Sequence, residues 1–198
     1  MTLATFLVLL VFSFASSITP GPNNIMLFAS GVNFGLRRTW PHAFGISAGF
    51  GVLLVAVGAG VGLILATLPQ LFWLLKILGG AYMLYLAWRI ANSGPVEKGR
   101  SEARPMTFLE AAAFQWVNPK AWVMAVVAMS TYTGEGSYGV NVAIVVFAFC
   151  VVNFPSVTVW AGFGSVMRRI LQNPLILKLF NYAMAGALIL SLWPMLKA

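Results

Sequence analysis

Apolar residues run through this chain in long stretches, and charged residues fall almost entirely between them. A helix needs about 20 apolar residues to cross the hydrocarbon of a bilayer. Six segments reach that length, at about 3–33, 41–67, 70–92, 107–131, 139–166 and 174–196. The pattern predicts an all-α integral membrane protein with six transmembrane helices. The one true linker, 93–106, is polar and divides the chain into a first unit of three spans, 1–92, and a second, 107–198.

Two of the six spans are interrupted. Residues 17–26 read SITPGPNNIM, with two prolines, a glycine and two asparagines inside a run that has no charge from Met1 to Leu36. The fourth span carries WVNPKAW. Proline lacks an N–H and leaves the carbonyl four residues earlier without its helical partner. Pro20 is therefore expected to free the carbonyl of Ser16, Pro22 that of Ile18, and Pro119 that of Gln115. Broken backbone at membrane depth is tolerated only against protein or a watery cavity. Asn118-Pro119 also reads as a fresh helix start, with asparagine as cap and proline in the first helical position. Gly21-Pro22 is a weaker version of the same signal.

The two breaks stand in corresponding places. Pro22 matches Pro119 at a shift of 97, Gly60 and Gly62 match Gly162 and Gly164 at 102, and Pro69–Trp88 matches Pro174–Trp193 at 105. Three spans per half require the halves to insert with opposite orientation. Inverted repeats with broken helices in equivalent positions are the mark of many secondary transporters.

Two half-helices starting near mid-membrane would offer N–H groups and partial positive charge to an anion. The freed carbonyls beside them suit a cation. A site with both poles fits a small zwitterion, an α-amino acid being the obvious ligand. The residues expected to form it are Thr19, Pro20, Gly21, Pro22, Asn23 and Asn24 at the first break. Gln115, Asn118, Pro119 and Lys120 join them at the second, with Lys120 strengthening the carboxylate pole; the alternative for Lys120 is a side chain that snorkels to an interface. Asn153 and Ser156 of the fifth span are further candidates, as is Thr158, with helix-to-helix bonding as the alternative. Pro155 is expected to interrupt that span and free Val151.

Charge sets the orientation. Of 198 residues only 8% are charged, against roughly 25% in soluble domains, and the net charge is +8. Arg37 and Arg38, then Arg89, Lys98, Arg100 and Arg104, then Arg168, Arg169 and Lys178 all fall on one side of the six-span arrangement. The other side has Lys197 alone. Positive charge marks the cytoplasmic face, so both termini are expected outside. Basic residues distributed in this way serve topology rather than nucleic acid. The apolar N-terminus has no basic leader region, so it reads as a retained helix rather than a cleaved signal.

The inventory of reactive groups excludes much. There is one cysteine, Cys150, one histidine, His42, and no aspartate. No disulfide, thiol-redox pair, metal-ligand set or HExxH motif is available, so neither a metal nor another cofactor is expected. An intramembrane enzyme would need a nucleophile and base that the chain does not supply. A passive channel built on paired half-helices is the stronger rival to a carrier.

The same residues carry a family resemblance. The stretches SITPGPNNIMLFASGVNFGLRRT, KILGGAYMLYLAWRI, FQWVNPKAWVMA and VNFPSVTVWAGFGSVMRRIL resemble the first, third, fourth and fifth spans of the LysE/RhtB amino-acid exporters. The resemblance covers the whole chain, and PGP together with NPK is its most specific part. It implies export of an amino acid or derivative across a bacterial inner membrane, driven by the proton gradient. Many members have aspartate directly after PGP; here Asn23 and Asn24 follow, which resembles the branch that exports cysteine and O-acetylserine. Asparagine cannot titrate, so a proton would need another carrier. Glu110, the one carboxylate within a span, is eight residues before Asn118 and on the same helical face. It is the proton-coupling candidate, with an interfacial pair to Arg104 as its alternative.

Other features read as packing. Gly45, Gly49, Val52, Ala56 and Gly60 form a small-residue stripe suited to close helix contact, within the monomer or in a homodimer. Tyr82, Tyr85, Trp88, Trp40 and Trp122 suit interfaces and packing. Lys76 and Asn181 correspond under the 105 shift. His42 is expected to be satisfied or hydrated.

Overall fold

The computed structural model describes residues 1–93, 104–134 and 136–193. Its regular structure among those residues is helical: α1 (Leu3–Ile18), α2 (Pro22–Phe34), α3 (Leu36–Gly58), α4 (Val61–Thr67), α5 (Pro69–Ala91), α6 (Phe108–Phe114), α7 (Pro119–Tyr132), α8 (Tyr138–Met167) and α9 (Pro174–Leu190). Three helical segments are long and apolar enough to cross a membrane, Leu36–Gly58, Trp73–Ala91 and Tyr138–Met167. The bent pair α1 and α2 makes a fourth, with an angle of 55° at the break. The chain is thus a helical membrane protein.

Helix boundaries follow local chemistry. Proline occupies the first position of α2, α5, α7 and α9, where its missing N–H costs nothing. Asn118 and Asn173 cap the last two by accepting backbone N–H bonds. Between α2 and α3 the chain turns at Gly35, whose φ of 82° is disfavoured for any residue with a Cβ. The expected second span, 41–67, is divided into α3 and α4 around Gly60. The expected interruption of the fifth span is not found. Helix α8 runs through Pro155 for 30 residues, because a single proline removes one ladder bond and the helix continues on either side. Most of the 93–106 linker, Lys98 and Arg100 with it, and residues 194–198, Lys197 with them, lie outside the described residues.

Packing is tightest along α8, which contacts α1, α2 and α3, while α3 also packs on α6, and α5 on α9. At the α2–α8 crossing the backbones nearly touch. A Cβ on Gly31 would sit 2.2 Å from the carbonyl oxygen of Ala161, and one on Gly164 would sit 2.3 Å from that of Phe28. Small residues let membrane helices approach this closely, and dispersion then does much of the holding. The small-residue stripe of α3 is only half used in this way. Gly45 and Gly49 abut the backbone of Phe108 and Ala112 on α6, whereas Val52 is exposed and Gly60 meets nothing. Outward faces such as Leu3, Leu7, Val11 and Phe14 on α1 are apolar and exposed, as lipid requires.

Two apolar clusters flank the middle of the molecule. One gathers Leu27, Ile46, Met83, Phe114 and Leu188. The other gathers Leu9, Leu53, Leu54, Ala125 and Phe149. Val157 of the first and Phe50, Ala121 and Met124 of the second also border polar residues of the two chain breaks.

Candidate substrate site

The α1–α2 and α6–α7 breaks, 97 residues apart in sequence, meet in space. Asn23 at the start of α2 and Gln115 at the end of α6 exchange two amide bonds, Nδ2 to Oε1 at 2.9 Å and Nε2 to Oδ1 at 3.1 Å. Gln115 is fully buried and its Nε2 also donates to the Ala111 carbonyl. Lys120 crosses from α7 so that its Nζ donates to the Thr19 carbonyl at 2.7 Å. It therefore does not snorkel away. Gly21 makes room for it, since a Cβ there would lie 2.8 Å from Lys120 Cδ.

The carbonyls freed at the two breaks are re-engaged. Ser16 O accepts from the Thr19 hydroxyl, Ser17 O and Thr19 O from Asn24 Nδ2, and Ile18 O from the Trp160 indole. Gln115 O accepts from the Asn118 N–H. This is the accounting that apolar surroundings enforce, because an unpaired carbonyl there costs several kcal/mol. The two helix starts differ in the same respect. Asn118 caps α7 through Lys120 N and its carbonyl takes the next two N–H groups, so that end is closed by its own chain. Gly21 supplies α2 with no side-chain cap. The open N-terminus is thus that of α2, with the Lys120 ammonium beside it.

A small cavity lies at this junction, lined by Ser16, Ser17, Gly21, Asn23, Asn24, Gln115, Asn118, Lys120 and Asn153, with Phe50, Ala121, Met124 and Val157 as its apolar wall. It has room for about one water molecule. Of the expected site residues, Thr19 and Pro20 are exposed and do not line it, although the Thr19 carbonyl belongs to the polar junction. Pro22 and Pro119 shape the helix starts from outside the lining. Ser156 and Thr158 bond back to their own helix at Val152 and Phe154, both at 2.7 Å. Asn153 does face the cavity, accepting from Ser47 and donating to Ser17.

Ser17, Ser47 and the apolar wall went unread in the sequence, and Ser16 was read only for its carbonyl. Two adjacent serines just ahead of a proline break are a usable signal; Ser47 gives none, since serine in a membrane helix commonly bonds back to its own backbone.

Glu110 is on α6, ahead of the second break and away from the cavity lining. It receives both Arg104 guanidinium nitrogens at 2.7 Å, the Thr107 N–H at 2.7 Å, and Arg89 at 3.7 Å. The expected alternative to proton carriage, a pair with Arg104, is therefore present. Thr107 and Glu110 also form a reciprocal capping box on α6. His42 is fully buried, and neither ring nitrogen has a hydrogen-bond partner among the described residues. Asn181 is buried and paired with Asn33 and the Ser93 carbonyl, while Lys76 stands over the Trp73 ring. These two positions of the internal match thus have different surroundings.

Comparison with known proteins shows the family of the chain. The profile of the LysE type translocators matches residues 14–192. Cysteine/O-acetylserine efflux proteins of Escherichia coli K12 and of Shigella flexneri are 31% identical to the chain over 165 residues, which is 82% of this chain and 83% of each relative. The protein of the same name from Escherichia coli O6:K15:H31 is 30% identical over the same extent. No solved structure matches the chain. Two helix-breaking proline motifs meeting at a polar cavity inside a helical membrane protein, together with a profile match over nearly the whole length, make this chain a member of the LysE-type translocator family.

Proposed function

We propose that the protein exports a small neutral amino acid or amino-acid derivative from the cytoplasm across the bacterial inner membrane, as a secondary transporter driven by the proton gradient. The observation that carries this reading is the reach of Lys120 from the second break onto the first, beside the polar cavity that it lines. It sets a cation and the open N-terminus of α2 beside a row of carbonyls, which are the two poles a zwitterion needs. Among the described residues no acidic side chain lines the cavity, so a basic side chain on the substrate would find no partner there. Relatives named for cysteine and O-acetylserine efflux support a compact substrate.

The arrangement we favour is six spans in two inverted three-helix units, with both termini outside and the two breaks facing each other near mid-membrane. Alternating access would open the cavity to one side at a time by rocking one unit on the other. The packed amide pair between Asn23 and Gln115 would part and re-form in each cycle. Proton coupling is assigned to Glu110, its carboxylate exchanging Arg104 for a proton as the cytoplasmic end of α6 moves.

The test is a profile of extracellular amino acids from cells overproducing the protein, beside cells with equally expressed Lys120→Ala. Accumulation of one or a few amino acids only with the intact protein is the expected result and names the substrate. Identical profiles would refute the zwitterion site. Accumulation against a concentration gradient separates a carrier from a passive pore.

A further inference from the structure

The carbonyls of the first break mark its negative pole, yet each already has a donor. Ser17 O and Thr19 O both accept from Asn24 Nδ2 at 2.8 Å, and Ile18 O accepts from the Trp160 indole. One acceptor beside them differs. Asn24 Oδ1 is buried and has no hydrogen-bond partner among the described residues. The same holds for Ser13 Oγ and both His42 ring nitrogens, but neither of those residues lines the cavity, whereas Asn24 does.

The orientation of this amide is forced. Two backbone carbonyls can only accept, so the end of the side chain that faces them is the NH2 group, and both its hydrogens are spent there. Turned over, the amide would set Oδ1 against two carbonyl oxygens. Oδ1 is therefore the polar end of Asn24 that is left for a ligand. The residue is only 2% exposed, and native proteins seldom leave a buried acceptor without a donor unless a function requires it.

We infer that Asn24 Oδ1 is the acceptor for the substrate's ammonium, and so the atom by which the site selects amino acids from other small carboxylates. This rests on the exporter reading given above and deepens it. The first intrahelical bond of α2 runs from the Ile25 N–H to Gly21 O. The Asn24 N–H thus precedes the ladder, at the uncapped end that favours a carboxylate. An α-amino acid carries its ammonium and carboxylate on one carbon. Asn24 offers the complementary pair, a backbone donor and a side-chain acceptor, from one residue.

The test compares cysteine with 3-mercaptopropionate, which keeps the carboxylate and thiol and lacks the ammonium. Binding is read as ligand-dependent thermal stabilisation of the purified protein in detergent. The wild type should bind cysteine about tenfold or more tightly, the preference expected from one charge-assisted hydrogen bond. Asn24→Leu should bring the two ligands within about threefold of each other. Asn24→Asp keeps an acceptor in the same place and should retain the tenfold preference. Both variants lose the bonds to Ser17 and Thr19, so a bracing role alone would move them alike.

A wild type that binds both ligands equally would overturn the assignment without any variant, and Oδ1 would then serve a bound water. An Asn24→Leu protein that folds and keeps the tenfold preference would overturn it while the exporter reading stands. A wild type that is stabilised by neither cysteine nor O-acetylserine, and moves neither, would end the exporter reading and the assignment with it.

Discussion

The Asn23–Gln115 amide pair is the contact by which the two breaks hold each other, and replacing Gln115 by leucine isolates it. The substitution keeps most of the buried volume but removes Oε1 and Nε2, and with them the bonds at 2.9 and 3.1 Å to Asn23 and the 2.9 Å bond to the Ala111 carbonyl. Leaving a buried polar group unpaired costs about 1–3 kcal/mol. Measured interhelical hydrogen bonds in membranes average only about 0.6 kcal/mol, since the unfolded chain in lipid finds partners too. Two bonds to Asn23 plus the orphaned amide therefore predict a loss of about 1–3 kcal/mol for Gln115→Leu, and a similar loss for Asn23→Leu. The double variant removes both amides together and should cost less than the sum of the singles, by about 1 kcal/mol or more. Thermal or denaturant unfolding in a defined detergent measures all four proteins. Additive losses would show that the pair has no coupling energy and that the breaks are held by apolar packing alone.

Further outcomes follow from single contacts. Gly164→Ala places a methyl 2.3 Å from the Phe28 carbonyl, a backbone atom that cannot swing aside; overpacking of this kind costs about 1–3 kcal/mol, read as a lower midpoint and reduced yield, and an unchanged midpoint would mean that α2 and α8 are not in contact. His42→Leu should be neutral or stabilising by up to about 2 kcal/mol, because the imidazole is buried without a partner; a marked loss of stability would reveal an ordered water or a second conformation serving it. Arg104→Ala breaks a pair whose arginine is half exposed, so the stability change should stay below about 1 kcal/mol. Glu110→Gln should abolish the dependence of transport on the pH gradient, and retention of that dependence would remove Glu110 from proton coupling.

How much was legible beforehand depended on the range of the interaction responsible. Hydropathy over about 20 residues is a local property, and a bilayer leaves so few ways to satisfy a backbone that an apolar run determines a helix. Helix starts are local as well. Pro22 and Pro119 begin α2 and α7 because a proline without an N–H is harmless in the first turn, and the sequence alone located both. It also determined that two breaks occur in equivalent places, and hence that the site should lie there. What only the tertiary structure decided was which partners each broken end takes. Trp160 serving Ile18, Asn24 serving Ser17 and Lys120 serving Thr19 are choices among many donors within reach once helices pack. Asn118 is a local case by contrast: it reads as a helix cap in the sequence, and it caps α7 through Lys120 N. Pro155 shows the reverse limit. A proline predicts a missing hydrogen bond, but whether the helix stops or runs on is settled by what packs around it, and α8, held along α1, α2 and α3, runs on.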